Sequence, residues 1–257
     1  RLDSFNPFGF ILDKGFEDSG WNHEYPHFNY QEVEKFLLPF LDRPEPVKYR
    51  DFITPIKSKS SGLVDFLVRL TEKIHQNWGH IIRHEQNIWA ASLTYSTKKG
   101  SCRDLALMQM DMLKSLGLAT RFVSGYAFNP DLEDGHELHA WLEVFLPGSG
   151  WVGMDPSLGL FTDHHYIPLA VHADPDATMP IQGAFLGSGK SELHTHVELK
   201  LIRARLVGHY CLFFRHFKNI LIQGVFTKDY IRKAYLITDS TGRISFQGIS
   251  CHYPWKH

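Results

Sequence analysis

Three cysteines in 257 residues, at positions 102, 211 and 251, are too few and too scattered for a disulfide framework, and no CxxC pair occurs. That usage points to a reducing, cytoplasmic compartment. Net charge is also small, −1 with neutral histidines, so no global field draws the chain to nucleic acid or to a membrane surface. No apolar run approaches a membrane span. The metalloprotease pattern H-E-x-x-H is missing, and so is the C-G-S-C-W signature of papain-type proteases. The chain starts with Arg1 rather than Met, which leaves room for a native leader or preceding domain.

What is present can fill a core: 43% of residues are hydrophobic and 14% aromatic, in a length that allows one large domain or two small ones. Charge is split along the chain. Residues 201–257 hold nine Lys/Arg against Asp229 and Asp239, a net +7; the other 18 basic and 26 acidic residues leave the body at −8. The first fifty residues are aromatic and turn-rich. Asn29 with Glu32 opens a short helix carrying Val33, Phe36, Leu37 and Phe40 on one side, ended by Pro39 and the RPEP stretch at 43–46. This segment reads as a strap over another body and offers no chemistry.

A second helix begins at Ser61, with Leu63, Phe66, Leu67, Leu70, Ile74 and Trp78 as its apolar stripe. His80 and His84, four apart beside Glu85, could share a helix face as metal ligands. Two histidines alone are weak evidence, and a solvated face explains them better. Residues 86–99 read as connection.

The organising stretch is Thr97–Gly117. Ser101 and Asp104 have capping-box spacing, Leu105, Met108, Met112, Leu113 and Leu116 fall on one helical face, and Gly117 stops the helix. Cys102 thus takes the first helical position, where free N–H groups and the macrodipole favour a thiolate. Beyond Gly117 the period turns to alternation. Strands are expected at 119–128, 136–146 and 151–157, joined by a polar loop at 129–135 and a PGSG turn at 147–150. His139 lies in the second strand and Asp155 ends the third, so a short hairpin can set them side by side. Singly, each residue has a plainer explanation: a small helix starter, a satisfied core histidine, a turn residue before proline. Together they fit nucleophile, base and orienting carboxylate.

The blocks GSCRDLALMQMDMLKSLGLATRFVSGY and HELHAWLEVFLPGSGWVGMDPSLG resemble the bacterial transglutaminase-like superfamily of candidate cysteine proteases. In that family a G-x-C-R-D helix, an H-A-W-x-E-V strand and a G-W-x-x-x-D-P strand carry the catalytic residues, which here are Cys102, His139 and Asp155. DHHYIPLAVHADPDATMPIQGAF (163–185) is similar to the family's next stretch. The resemblance covers about residues 60–200. It implies an α+β papain-like/transglutaminase core, with the catalytic helix packed on an antiparallel β-sheet, and acyl transfer through a thioester. There are two departures. Leu107 stands where the family often has histidine, and the family's usual N-terminal β-sandwich has no counterpart in the first fifty residues.

The residue types imply attack by the Cys102 thiolate on an amide carbon, with His139 protonating the departing amine and Asp155 fixing the imidazole. The Cys102 N–H is one oxyanion donor, and Trp78 or Gln76 is the candidate second. Peptide or amide hydrolysis is the expected outcome. Transfer to an amine, as in a protein-glutamine transglutaminase, and a non-catalytic binding module are the alternatives. An arylamine N-acetyltransferase would need an acyl-CoA site that is not evident. Sixteen histidines, including His136, His164-His165 and His194 with His196, raise a metal-dependent hydrolase. His136 and His139 on one strand, however, point to opposite faces. No metal or cofactor is therefore expected, and the expected partner is a peptide or protein amide substrate.

Residues 200–257 match nothing in the family. They combine an apolar, basic run with a hairpin pattern at 233–249 around Ser240-Thr241-Gly242. Such a stretch suits either a membrane surface or a packed appendage; the packed appendage is the expectation, with Cys211 and Cys251 as buried thiols. The expected organisation is a strap at 1–58, a catalytic core at 59–199 and a basic appendage at 200–257.

Overall fold

In the computed structural model, the residues described are 6–14, 16, 35–42, 49–83, 85, 87–129, 138–179 and 199, with backbone alone in five short strands between 211 and 248. The chain divides into two compact units. One comprises Ser4–Tyr126 and Leu138–Gln182, the other Arg1–Asp3, Ala127–Glu137 and Gly183–His257.

The larger unit is α+β. The α-helices with described bounds in it are α1 (Arg50–Ser58), α2 (Leu63–Asn77), α3 (Ala91–Thr97) and α4 (Cys102–Lys114). Two-residue strands β1 (Gly79–His80) and β2 (Lys99–Gly100) pair in parallel. The main sheet contains β3 (Thr120–Ala127), β4 (His139–Leu146), β5 (Gly150–Asp155), β6 (Leu160–Phe161) and β7 (Tyr166–His172), in the order β6-β5-β4-β3-β7. The expected three-strand meander is its centre, with β3 antiparallel to β4 and β4 to β5.

The core lies between this sheet and α2 and α4. The α2 stripe buries Leu63, Phe66, Leu67, Leu70 and Ile74, as the spacing predicts. α4 departs from its predicted single apolar face: Asp104, Ala106, Gln109 and Met110 are buried along with the Leu and Met positions. A helix covered nearly all round is central to its domain. Gln109 meets that environment by donating to Thr71 Oγ1 at 2.7 Å. The helix ends as expected, with Gly117 at φ +79° and Leu118 N donating to Leu113 O.

Two helices depart from the sequence reading. Residues 86–99 are not mere connection, since α3 occupies Ala91–Thr97, and α1 spans Arg50–Ser58 despite Pro55 inside it. The described N-terminal residues make contacts with the β4–β5 hairpin. Asp13 N donates to Pro147 O, Ser149 Oγ donates to Ile11 O, and Phe40 packs edge-on against Trp151. Asn29, Glu32 and Val33 fall outside the described residues.

In the smaller unit the described backbone forms a second sheet of β8 (Cys211–Phe213), β9 (Ile222–Thr227), β10 (Tyr230–Ile231), β11 (Ala234–Thr238) and β12 (Ile244–Gly248). The expected hairpin is β11–β12, antiparallel with Leu236 opposite Phe246. No helix among the described residues is long and apolar enough to cross a membrane.

Candidate active site

The site is built on the N-terminus of α4. Ser101 is the N-cap, and Asp104 closes a capping box by accepting from Ser101 N at 2.8 Å and Ser101 Oγ at 2.7 Å. The same buried carboxylate accepts from Trp89 N and from Arg83 Nη1, each at 2.8 Å. Arg83 in turn lies 4.2 Å from the Trp89 ring centre. Arg103 donates to the Glu85 carbonyl at 2.8 Å. The two residues after Cys102 therefore tie the chain from Arg83 to Trp89 against the helix start. With its turn fixed in this way, Cys102 is held at the first helical position, half-buried.

The sheet brings the other two residues. Leu142 pairs with Met154, so Asp155 lies level with Trp141 and diagonal to His139, within reach for long side chains. His139 Nε2 meets Asp155 Oδ2 at 2.6 Å, which leaves Nδ1 for the Cys102 sulfur. Trp141 stacks at 28° to the His139 ring, fixing its plane. Asp155 is fully buried. It also accepts from Tyr166 Oη at 2.8 Å, Ser157 Oγ at 2.6 Å and Ser157 N at 2.9 Å. Pro156 ends β5 directly after it, and this turn supplies two of those donors, both from Ser157.

These contacts set the ionisation. Burial pushes the Cys102 thiol up, but hydrogen bonds from His139 and His80, the His139 charge and the Ala140 N–H outweigh it and bring the pKa down to about 6. Burial likewise opposes charge on His139, yet the bonds to Asp155 and Cys102 raise it to about 10. Asp155 is disfavoured as an anion by burial and held below the usual carboxylate range by His139, Ser157 and Tyr166. The coupled pair thus titrates with apparent values near 6 and 10, and between them it is thiolate and imidazolium.

Of the sequence-predicted residues, Cys102, His139 and Asp155 come together. The two candidate oxyanion side chains have other partners. Trp78 is buried and its single N–H donates to Thr94 O at 3.0 Å, while Gln76 bonds Glu72 and Lys73 on the exposed side of α2. His80 is the residue whose role sequence reasoning missed. It sits opposite Gly100 in the β1–β2 pair and hydrogen-bonds the Cys102 sulfur. No local pattern announces a parallel pair of two-residue strands. Tyr166 was missed too, because its value depends on β7 joining the sheet. His84, His136, His194 and His196 lie outside the described residues.

Part of the chain is similar to known proteins. Residues 50–156 match the model of the transglutaminase-like superfamily. The uncharacterized protein ML0607 of Mycobacterium leprae is 30% identical over 106 residues, 39% of this chain and 37% of that protein. YebA of Bacillus subtilis, also uncharacterized, is 30% identical over 76 residues, 25% of this chain and 10% of its own length. The chain therefore spans less than half of these curated relatives. Among solved structures, a candidate cysteine protease from Cytophaga hutchinsonii superposes with TM-score 0.49 at 19% identity, over 63% of this chain and 54% of its own. The periplasmic domain of TgpA from Pseudomonas aeruginosa gives TM-score 0.38 at 20% identity, over 49% of this chain and 48% of its own. The family match at residues 50–156 thus falls on the helices and antiparallel strands that carry Cys102, His139 and Asp155.

Proposed function

We propose that Cys102, His139 and Asp155 act as a catalytic triad for thiol-dependent acyl transfer on amide substrates, with peptide or amide hydrolysis as the outcome. The observation that carries this reading is a thiol brought down to about 6 beside an imidazole clamped to a fully buried carboxylate. A buried structural cysteine is inert and has no such surroundings.

The Cys102 thiolate attacks the carbonyl carbon of the amide, and the carbonyl electrons move onto oxygen. The Cys102 backbone N–H, at the open end of α4, donates to that oxyanion. His139 then gives its proton to the amide nitrogen as the C–N bond breaks, releasing the amine and leaving a thioester on Sγ. Neutral His139 next takes a proton from water, whose oxygen attacks the thioester carbon, and the carboxylic acid leaves as the thiolate re-forms. Asp155 holds the ring in one tautomer through Nε2 and steadies the imidazolium. His80 gives the sulfur a second hydrogen bond in the resting state.

The same thioester passes to an amine if the amine outcompetes water, so hydrolysis and transamidation share every residue named. A peptide library incubated with wild type and with Cys102→Ala, each with and without added amine, separates the outcomes by mass. Cleaved peptides that require Cys102 support hydrolysis, and amine-adducted peptides that require it support the transglutaminase alternative. Unchanged peptides in every arm return the chain to the reading of a binding module that keeps the fold.

A further inference from the structure

We propose that Asp163, His164 and His165 form a binding site for one divalent transition cation of the zinc class, at the start of β7 and separate from the thiol array. Their three ligand atoms, one carboxylate oxygen and two imidazole nitrogens, lie within 4.8 Å of one another. His165 Nδ1 is 3.0 Å from both Asp163 oxygens, and His164 Nδ1 is 3.8 Å from Asp163 Oδ2. A tetrahedral ion with bonds of about 2.0–2.2 Å needs donors roughly 3.3–3.6 Å apart, so small ring rotations complete the set.

The chemistry selects the ion. Two imidazoles and one carboxylate suit zinc, nickel or copper, whereas calcium and magnesium require oxygen-rich shells. The two rings lie 4.0 Å apart, tilted at 40°, beside one carboxylate. Each side chain is a quarter to a third exposed, so an ion can enter from solvent while water fills the remaining position. The turn is preset: His165 N donates to Asp163 Oδ1 at 2.8 Å and Tyr166 N to Asp163 O at 3.1 Å.

Binding requires no redox change. When the ion arrives, the proton on His165 Nδ1 moves to Nε2, and the freed lone pair goes to the metal. The residue after this site is Tyr166, whose hydroxyl donates to Asp155. A bound ion would therefore fix the start of the strand that supplies this donor. The site is distinct from the H-E-x-x-H type absent from the sequence, and it departs from the sequence-based expectation of no metal.

The test uses the full chain carrying Cys102→Ala, so that the thiolate cannot bind metal, freed of metal with a chelator and titrated with Zn²⁺ by calorimetry. One tight equivalent per chain is expected. Adding His164→Ala with His165→Ala should weaken it by at least about 100-fold, beyond the loss typical of outer-shell changes. Circular dichroism establishes that each variant is folded, and His165→Asn serves if the double change is not. Absence of a tight equivalent, or one that survives in the folded variants, would overturn the assignment. Because the readout is binding to a protein without the Cys102 thiol, failure here leaves the acyl-transfer reading untouched.

Discussion

Replacing His139 by alanine should change the reactivity of one cysteine, by an amount that can be worked out in advance. At pH 6 a thiol with a pKa of about 6 is half ionised, whereas one at the ordinary 9.0 is ionised to about one part in a thousand. The advantage in thiolate is about 500-fold. A less basic thiolate is also a weaker nucleophile. With a Brønsted slope of about 0.4–0.5, the three-unit difference returns roughly 15- to 30-fold of that gain. Cys102 should therefore alkylate about 15- to 30-fold faster than an ordinary exposed thiol at pH 6. Its rate should rise with pH to a plateau, with an inflection near 6. His139→Ala removes the largest hydrogen bond and a charge that favours the thiolate, while burial, which opposes it, remains. The inflection should then move above pH 8 and the pH 6 rate should fall by an order of magnitude or more. The assay is a brief iodoacetamide pulse at several pH values, followed by peptide mapping. Labelling of Cys102 that is indifferent to His139, or an inflection near 8.5 in the wild type, would mean that the ion pair does not exist.

Turnover should follow a bell in pH. It falls as the thiolate protonates below about pH 6 and again as the imidazolium loses its proton toward pH 10, which kcat/KM measured from pH 4 to 11 would record. Asp155→Asn should leave a residual rate, with a loss on the order of 10⁴-fold against about 10⁶-fold for Cys102→Ala, since losing the orienter costs less than losing the nucleophile. Equal losses on the same substrate would argue against the assigned roles. Asp104→Ala should destabilise the fold by about 3–5 kcal/mol in a urea titration, because it takes the buried carboxylate from the Arg83 guanidinium and opens the capping box of α4. A change below 1 kcal/mol would show that the Arg83–Trp89 segment is not held in this way.

The elements that position Cys102, His139 and Asp155 were legible because each is marked by local chemistry. Ser101 and Asp104 mark a helix start and Gly117 its stop, and alternation with a PGSG turn marks β4 and β5. The α2 stripe was legible for the same reason. The burial of Gln109 and Met110 was not, since a helix covered on all sides still reads as one apolar face when its remaining positions are polar or thioether. α1 was hidden by Pro55, which normally breaks a helix interior. α3 was hidden by its Ser/Thr-rich sequence and by Lys98 in the left-handed conformation at its C-cap, where glycine is the usual signal. β7 carries Pro168 and joins the sheet beside β3, a tertiary choice with no local marker. His80 and Tyr166 entered the site through such choices. For that reason the three central residues were readable from the sequence, while two of their supporting donors were not.

The most direct test of the central claim is an acid-quenched intact-mass measurement of wild type and Cys102→Ala after brief exposure to the peptide library, with the adducts mapped. Acyl thioesters at Cys102, released by hydroxylamine and absent from the variant, are the result expected. Peptide cleavage without any acyl adduct at Cys102, or cleavage that persists in Cys102→Ala, would contradict it.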